Sequence, residues 1–69
     1  MEMKVWVNYQ EVTVFEGATA KDALLRFFVL NGIDLSKISQ VEVSDFWGHE
    51  IDIDAPLRYN MSINFEFKS

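Results

Sequence analysis

Apolar and polar residues alternate in five runs along the chain, and one run between them follows a helical period instead. From Met3 to Tyr9, Met3, Val5 and Val7 point one way and Lys4, Trp6 and Asn8 the other, the period-two signature of a half-buried strand. Val12 and Val14 repeat the pattern between Glu11 and Glu16. Only Tyr9-Gln10 separates the two runs, so they are expected to pair as an antiparallel hairpin. Gln40–Asp45 puts Val41 and Val43 inward, and Met61–Lys68 does the same with Ile63, Phe65 and Phe67. Between them Glu50–Asp54 alternates briefly through Ile51 and Ile53, until Pro56, which has no N–H for a ladder, ends the run.

The helical run is Ala20–Asn31. Ala20, Ala23, Leu24, Phe27 and Asn31 fall on one stripe, with Phe28 and Leu30 at its edges. Thr19 suits the N-cap, Asp22 three residues on suits a capping box, and Gly32 suits the left-handed residue that ends the helix. Ile33–Ser39 reads as a connector whose apolar residues seal an edge of the core. Gly48 and Asn60 fall in turns where positive φ is expected. The order strand, strand, helix, strand, short strand, strand predicts one two-layer α+β domain over residues 1–69. Its sheet is mixed, with four to five strands and the helix on one face. The first and last strands are expected to lie parallel at its centre, with the helix in the crossover.

Composition narrows the role. Eleven acidic residues against six basic ones give a net charge of −5. The six cations stand singly, so no basic stripe opposes the overall field and nucleic acid is not an expected partner. No cysteine is present, which excludes disulfides, thiol catalysis and cysteine-held zinc or iron–sulfur centres. A cysteine-free domain of this size without a visible signal peptide is expected in the cytoplasm. The longest apolar run, Phe27–Leu30, is far too short for a membrane span. Asn60-Met61-Ser62 matches a glycosylation sequon and is read as chance in that setting.

The hairpin Met3–Phe15, the helix entry Glu16-Gly17-Ala18-Thr19-Ala20-Lys21-Asp22-Ala23-Leu24-Leu25 and the closing Pro56-Leu57-Arg58-Tyr59-Asn60-Met61-Ser62-Ile63 together resemble the β-grasp, or ubiquitin-like, superfold. Among its members the chain is most similar to the small sulfur carriers of thiamine and molybdopterin synthesis (ThiS/MoaD-like). The likeness spans nearly the whole chain. Carriers of that family end in Gly-Gly, whose carboxylate is activated and then bears the sulfur. Here the tail reads Phe65-Glu66-Phe67-Lys68-Ser69, with no glycine after Gly48. With Ser69 as the native end, the resemblance implies the fold without the carrier chemistry. The expected role is then a small non-catalytic protein-interaction module, without cofactor. A diverged or truncated carrier and a TGS-type regulatory domain from a larger enzyme remain the alternatives.

Candidate chemistry is sparse. His49 with Asp45, Glu50, Asp52 and Asp54 makes an acidic stretch, but carboxylates on alternate strand positions stand ~6.7 Å apart and do not close a coordination shell. It is read as a solvated strand face beside a turn histidine. Ser36, Ser39, Ser44, Ser62 and Ser69 have no patterned base partner, so no nucleophilic site is expected. The candidates for binding a protein partner are apolar. Trp6 is expected on the open face of the sheet, and Phe15 breaks the simple in/out pattern next to Glu16; if both lie on that face they form either a docking patch or cover for cross-strand pairs. Leu25 and Val29 lie one turn apart off the core stripe, either as a partner or weak homodimer contact or covered by the connector. Phe46-Trp47 is expected to fold back and cap the core, with Trp47 as a partner anchor in the alternative.

Overall fold

Alternation produces strands where two neighbours can share a ladder, and the hairpin shows how. A computed structural model describes residues 1–68; Ser69, one of the serines considered above, lies outside them. Strand β1 is Glu2–Val7 and β2 is Gln10–Phe15, paired antiparallel from Glu2 opposite Phe15 to Val7 opposite Gln10. The connecting turn is Asn8-Tyr9, one residue earlier than the sequence suggested, with φ of 48° and 68°. A two-residue turn with both central residues in this region matches the twist of its strands. The Asn8 N–H donates to the Ile63 carbonyl at 3.0 Å, and this pull toward the last strand fixes where β1 stops.

Helix α1, Ala20–Asn31, begins with the expected capping box: the Asp22 N–H donates to Thr19 Oγ1 and the Thr19 N–H to Asp22 Oδ2. It ends at Gly32, φ 69°, where the Ile33 N–H returns to the Phe28 carbonyl at 2.8 Å. The buried stripe is Ala20, Ala23, Leu24, Phe27 and Phe28. Phe28 is therefore central rather than marginal. Its ring lies 5.6 Å from that of Phe65 and 6.0 Å from that of Phe67, and these aromatics of the last strand draw the helix toward them. Leu30 and Asn31 are exposed, and Asn31 turns its amide back onto the Phe27 carbonyl at 2.8 Å.

Beyond α1 the connector coils into a 3-10 helix, Leu35–Gln40, capped by Asp34 through the Ser36 N–H. Ile33 and Ile38 pack on the core and Leu35 stays exposed. Strand β3 is Val41–Asp45 and β4 is Ser62–Phe67, antiparallel to each other. β4 runs parallel to β1, with Trp6 beside Ser62 and Val7 beside Ile63. The sheet is thus four-stranded and mixed, in the order β2-β1-β4-β3, with the first and last strands at its centre and α1 between them in sequence. The core lies between α1 and the sheet face carrying Met3, Val5, Val7, Val12, Val14, Val43 and Ile63.

The fifth strand expected at Glu50–Asp54 does not form. Glu50 makes one bridge to Ser44, and the Ile51 N–H donates to the Val43 carbonyl at 3.0 Å. The chain then lifts away, and the Ile53 and Ala55 carbonyls accept the N–H groups of Lys21 and Ala20 at 2.8 and 2.9 Å. Those donors belong to the first turn of α1, which has no acceptors of its own. Acceptors that a ladder needs are committed to the helix instead.

Candidate interaction surfaces

Each aromatic or aliphatic candidate can be placed by its strand or helix position. Trp6 lies on the face of the sheet away from α1, as expected from alternation, and Phe15, opposite Glu2, lies on the same face. Trp6 is half-buried between Glu11 on one side and Ser62 on the other. Phe15 is 74% exposed, opposite Glu2. Four ladder positions separate Trp6 from Glu2, about 13 Å along the strand, so the two rings do not form one patch. Beside Trp6, Lys4 Nζ and the Glu11 carboxylate stand 3.3 Å apart, and this face is chiefly polar.

On α1 the pair is split. Leu25 is half-buried, while Val29 is 62% exposed, so the connector does not cover it.

Phe46 and Trp47 do not cap the core. They are 59% and 77% exposed, their rings meeting edge to face at 5.2 Å. Asp45 holds them there. Its Oδ1 accepts the N–H groups of Trp47 and His49, both at 2.9 Å, and its own N–H donates to the His49 carbonyl at 2.9 Å. Gly48, at φ 84°, supplies the left-handed residue that closes this loop. A carboxylate accepting two main-chain donors makes a stiff turn, and a stiff turn presents its side chains at little ordering cost.

Sequence reasoning missed Tyr59. The Asp45–Ile63 pair of the β3–β4 ladder brings the chain leaving β3 against the chain entering β4. Phe46, Trp47, Pro56, Arg58, Tyr59 and Met61 therefore line one open cleft of about 710 Å³. Trp6 is not among its walls. The Tyr59 hydroxyl reaches across to donate to the Glu16 carboxylate, and this bond, followed by burial and the Glu16 charge, pushes its pKa above the usual phenol range. The signal for this grouping was present in two turns, each bearing aromatics, on either side of strands that pair antiparallel.

The acidic stretch stays open. Asp45 is committed to its loop, His49 Nδ1 sits 4.0 Å from Asp45 Oδ2, and Glu50, Asp52 and Asp54 are exposed. Among the described residues no three His, Asp or Glu side chains come together to hold a metal ion. Asp34 has a lowered pKa because its carboxylate accepts the Ser36 N–H and hydroxyl, a capping effect with no site around it. Among the described residues no helix is long and apolar enough to cross a membrane.

No family model matches the sequence, and no curated protein matches it.

Proposed function

We propose that this chain is a non-catalytic protein-interaction module of β-grasp type, and that it grips a protein partner with the Phe46–Trp47 loop. The β-grasp reading is supported by the sheet order β2-β1-β4-β3, the parallel central pair and the helix in the crossover. The observation behind the binding role is the exposed aromatic pair held out by Asp45. Aromatic side chains already fixed in place bury much area on docking while losing little freedom, which is why they dominate interface energetics. Tyr59 and Arg58, in the same cleft, supply polar contacts at its rim. Trp6, Phe15, Leu25 and Val29 stand outside this cleft and are secondary in this reading.

The test compares capture of interacting proteins by the wild-type chain and by Trp47→Ala, Tyr59→Phe and Trp6→Ser, each verified as folded. Trp47→Ala is expected to lose the captured protein, and Trp6→Ser to retain it. Equal capture by wild type and Trp47→Ala overturns the reading.

A further inference from the structure

The two outer edges of the sheet differ. Along β3 the chain covers the C-terminal half of its own edge, through the Ile51 N–H on the Val43 carbonyl, the Asp45 N–H on the His49 carbonyl and the Glu50 bridge to Ser44, which leaves the outward groups of Val41 and the Val43 N–H uncovered among the described residues. Along β2 there is no such cover among the described residues. The two-residue turn makes Val7–Gln10 the closing hydrogen-bonded pair, and alternation makes Val5–Val12 and Met3–Val14 the next two. The Glu16 N–H, donating to the Met1 carbonyl at 2.7 Å, keeps the same phase. The main-chain groups of Glu11, Thr13 and Phe15 therefore point away from β1. Of these, the Phe15 carbonyl accepts the Ala18 N–H at 3.0 Å. The other donors and acceptors of the three residues have no main-chain partner among the described residues.

Sheets ordinarily guard such an edge with a bulge, a proline or an unpaired charge. β2 has none of these. Its ladder runs residue for residue, it contains no proline, and Lys4 offsets the charge of its one acid, Glu11. A groove of about 520 Å³ lies along it, between Phe15 and Thr13 of β2 and Asp22 and Arg26 of α1.

We infer that β2 is an interface for a second copy of this chain, paired antiparallel about a two-fold axis at Thr13. Donors and acceptors alternating along an extended edge fit another strand and little else. Because the turn after β3 closes half of that edge, β2 is the longer free edge each copy offers, so the pairing is the same surface on both sides and closes at two chains. Thr13 faces Thr13 of the second copy and exchanges both hydrogen bonds with it. Each Phe15 N–H reaches the Glu11 carbonyl across the axis. The side chains agree with this register: Glu11 meets Phe15 rather than another acid, and the exposed Phe15 ring gains a cross-strand neighbour. This interface is separate from the Phe46–Trp47 loop, which follows β3 on the other side of the sheet.

Two paired strands form a small contact, so association is weak, and sedimentation equilibrium from about 10 µM to about 1 mM brackets it. The chain is expected to pass from one copy to two over that range, with exchange of the Thr13 and Phe15 amides slowing as concentration rises. Each copy carries −5, so added salt tightens the pair. Thr13→Pro removes an outward N–H from each copy, both bonds of the Thr13 pair, without touching the β1 ladder, and is expected to weaken association at least ~10-fold. If that variant proves unfolded, Phe15→Glu, which sets an acid against Glu11 of the second copy and is expected to weaken the pair, and the amide exchange of the wild type decide. Trp47→Ala leaves the pairing unchanged, which separates this inference from the partner-binding loop. A single copy at every concentration, or a pair that survives Thr13→Pro and is lost in Val29→Asp, overturns the proposal.

Discussion

Asn8 Oδ1 accepts the main-chain N–H of Phe65 at 2.9 Å, so a turn residue of the first hairpin completes the ladder of the last strand. β4 extends past the end of β1, and the Asn8 side chain stands in for the strand residue that is missing there. The same residue has φ of 48°, a conformation asparagine tolerates better than most. Asn8→Ala loses both properties and is expected to destabilise the domain by about 1–2 kcal/mol. Asn8→Gly keeps the conformation and loses the bond, so it is expected to cost less. Chemical denaturation of the two variants checks this, and equal losses would assign the whole effect to the Phe65 bond.

Tyr9 is the opposite case. It is exposed, its φ is 68°, and no side-chain hydrogen bond holds it among the described residues. Tyr9→Gly removes the penalty of a bulky residue in the left-handed region and is expected to stabilise by about 1 kcal/mol. For a domain of this size that is a rise in melting temperature of about 4–8 °C. An unchanged or lower melting temperature counts against the strain.

Asp45→Ala should separate loop stiffness from global stability. The carboxylate accepts two exposed main-chain N–H groups, so its loss costs about 1 kcal/mol. The larger effect is expected in Trp47, whose fluorescence anisotropy should fall as the loop loosens. Trp6→Phe in the same background leaves Trp47 as the single reporter. Unchanged anisotropy would mean that the edge-to-face contact with Phe46 suffices to order the loop.

Tyr59 predicts a dependence on alkaline pH. Its folded pKa is raised, first by the hydrogen bond to Glu16 and then by burial and the Glu16 charge. A phenol whose folded pKa lies above its unfolded one favours the folded state fully below the unfolded pKa, and loses that contribution as pH rises through the folded value. Absorbance titration is expected to show a tyrosine phase above the usual phenol range that is absent in Tyr59→Phe. Glu16→Ala should return the phase to the ordinary range; a phase that does not move sinks the assignment to this bond.

Most of the secondary structure was legible because its causes are local. Thr19, Asp22 and Gly32 announce both ends of α1 within a few residues, and valine alternation announces β1, β2 and β3. Failures came where a distant segment decides. Phe28 looks marginal on a helical wheel and is fully buried because Phe65 and Phe67 reach it from β4. Glu50–Asp54 has strand alternation, yet its neighbour Ala20–Lys21 claims the acceptors that follow. The binding candidates divide in the same way. Alternation placed Trp6 on the correct face and Phe15 joins it there, but distance along the ladder keeps them apart. The Asp45 turn exposes Phe46 and Trp47 through hydrogen bonds that no hydropathy pattern encodes, and the β3–β4 register adds Tyr59 to them.

The two carbonyls that Ile53 and Ala55 lend to the start of α1 tie the middle of the fold to its last third. A nascent α1 made from the first half of the chain has its own cap at Thr19 but still lacks those acceptors. Its entry can therefore be completed only once the stretch before Pro56 has docked. Detachment of that stretch and fraying of the helix entry become one event, so a protease nick near Asp54 should loosen amides at Lys21, far away in the sequence.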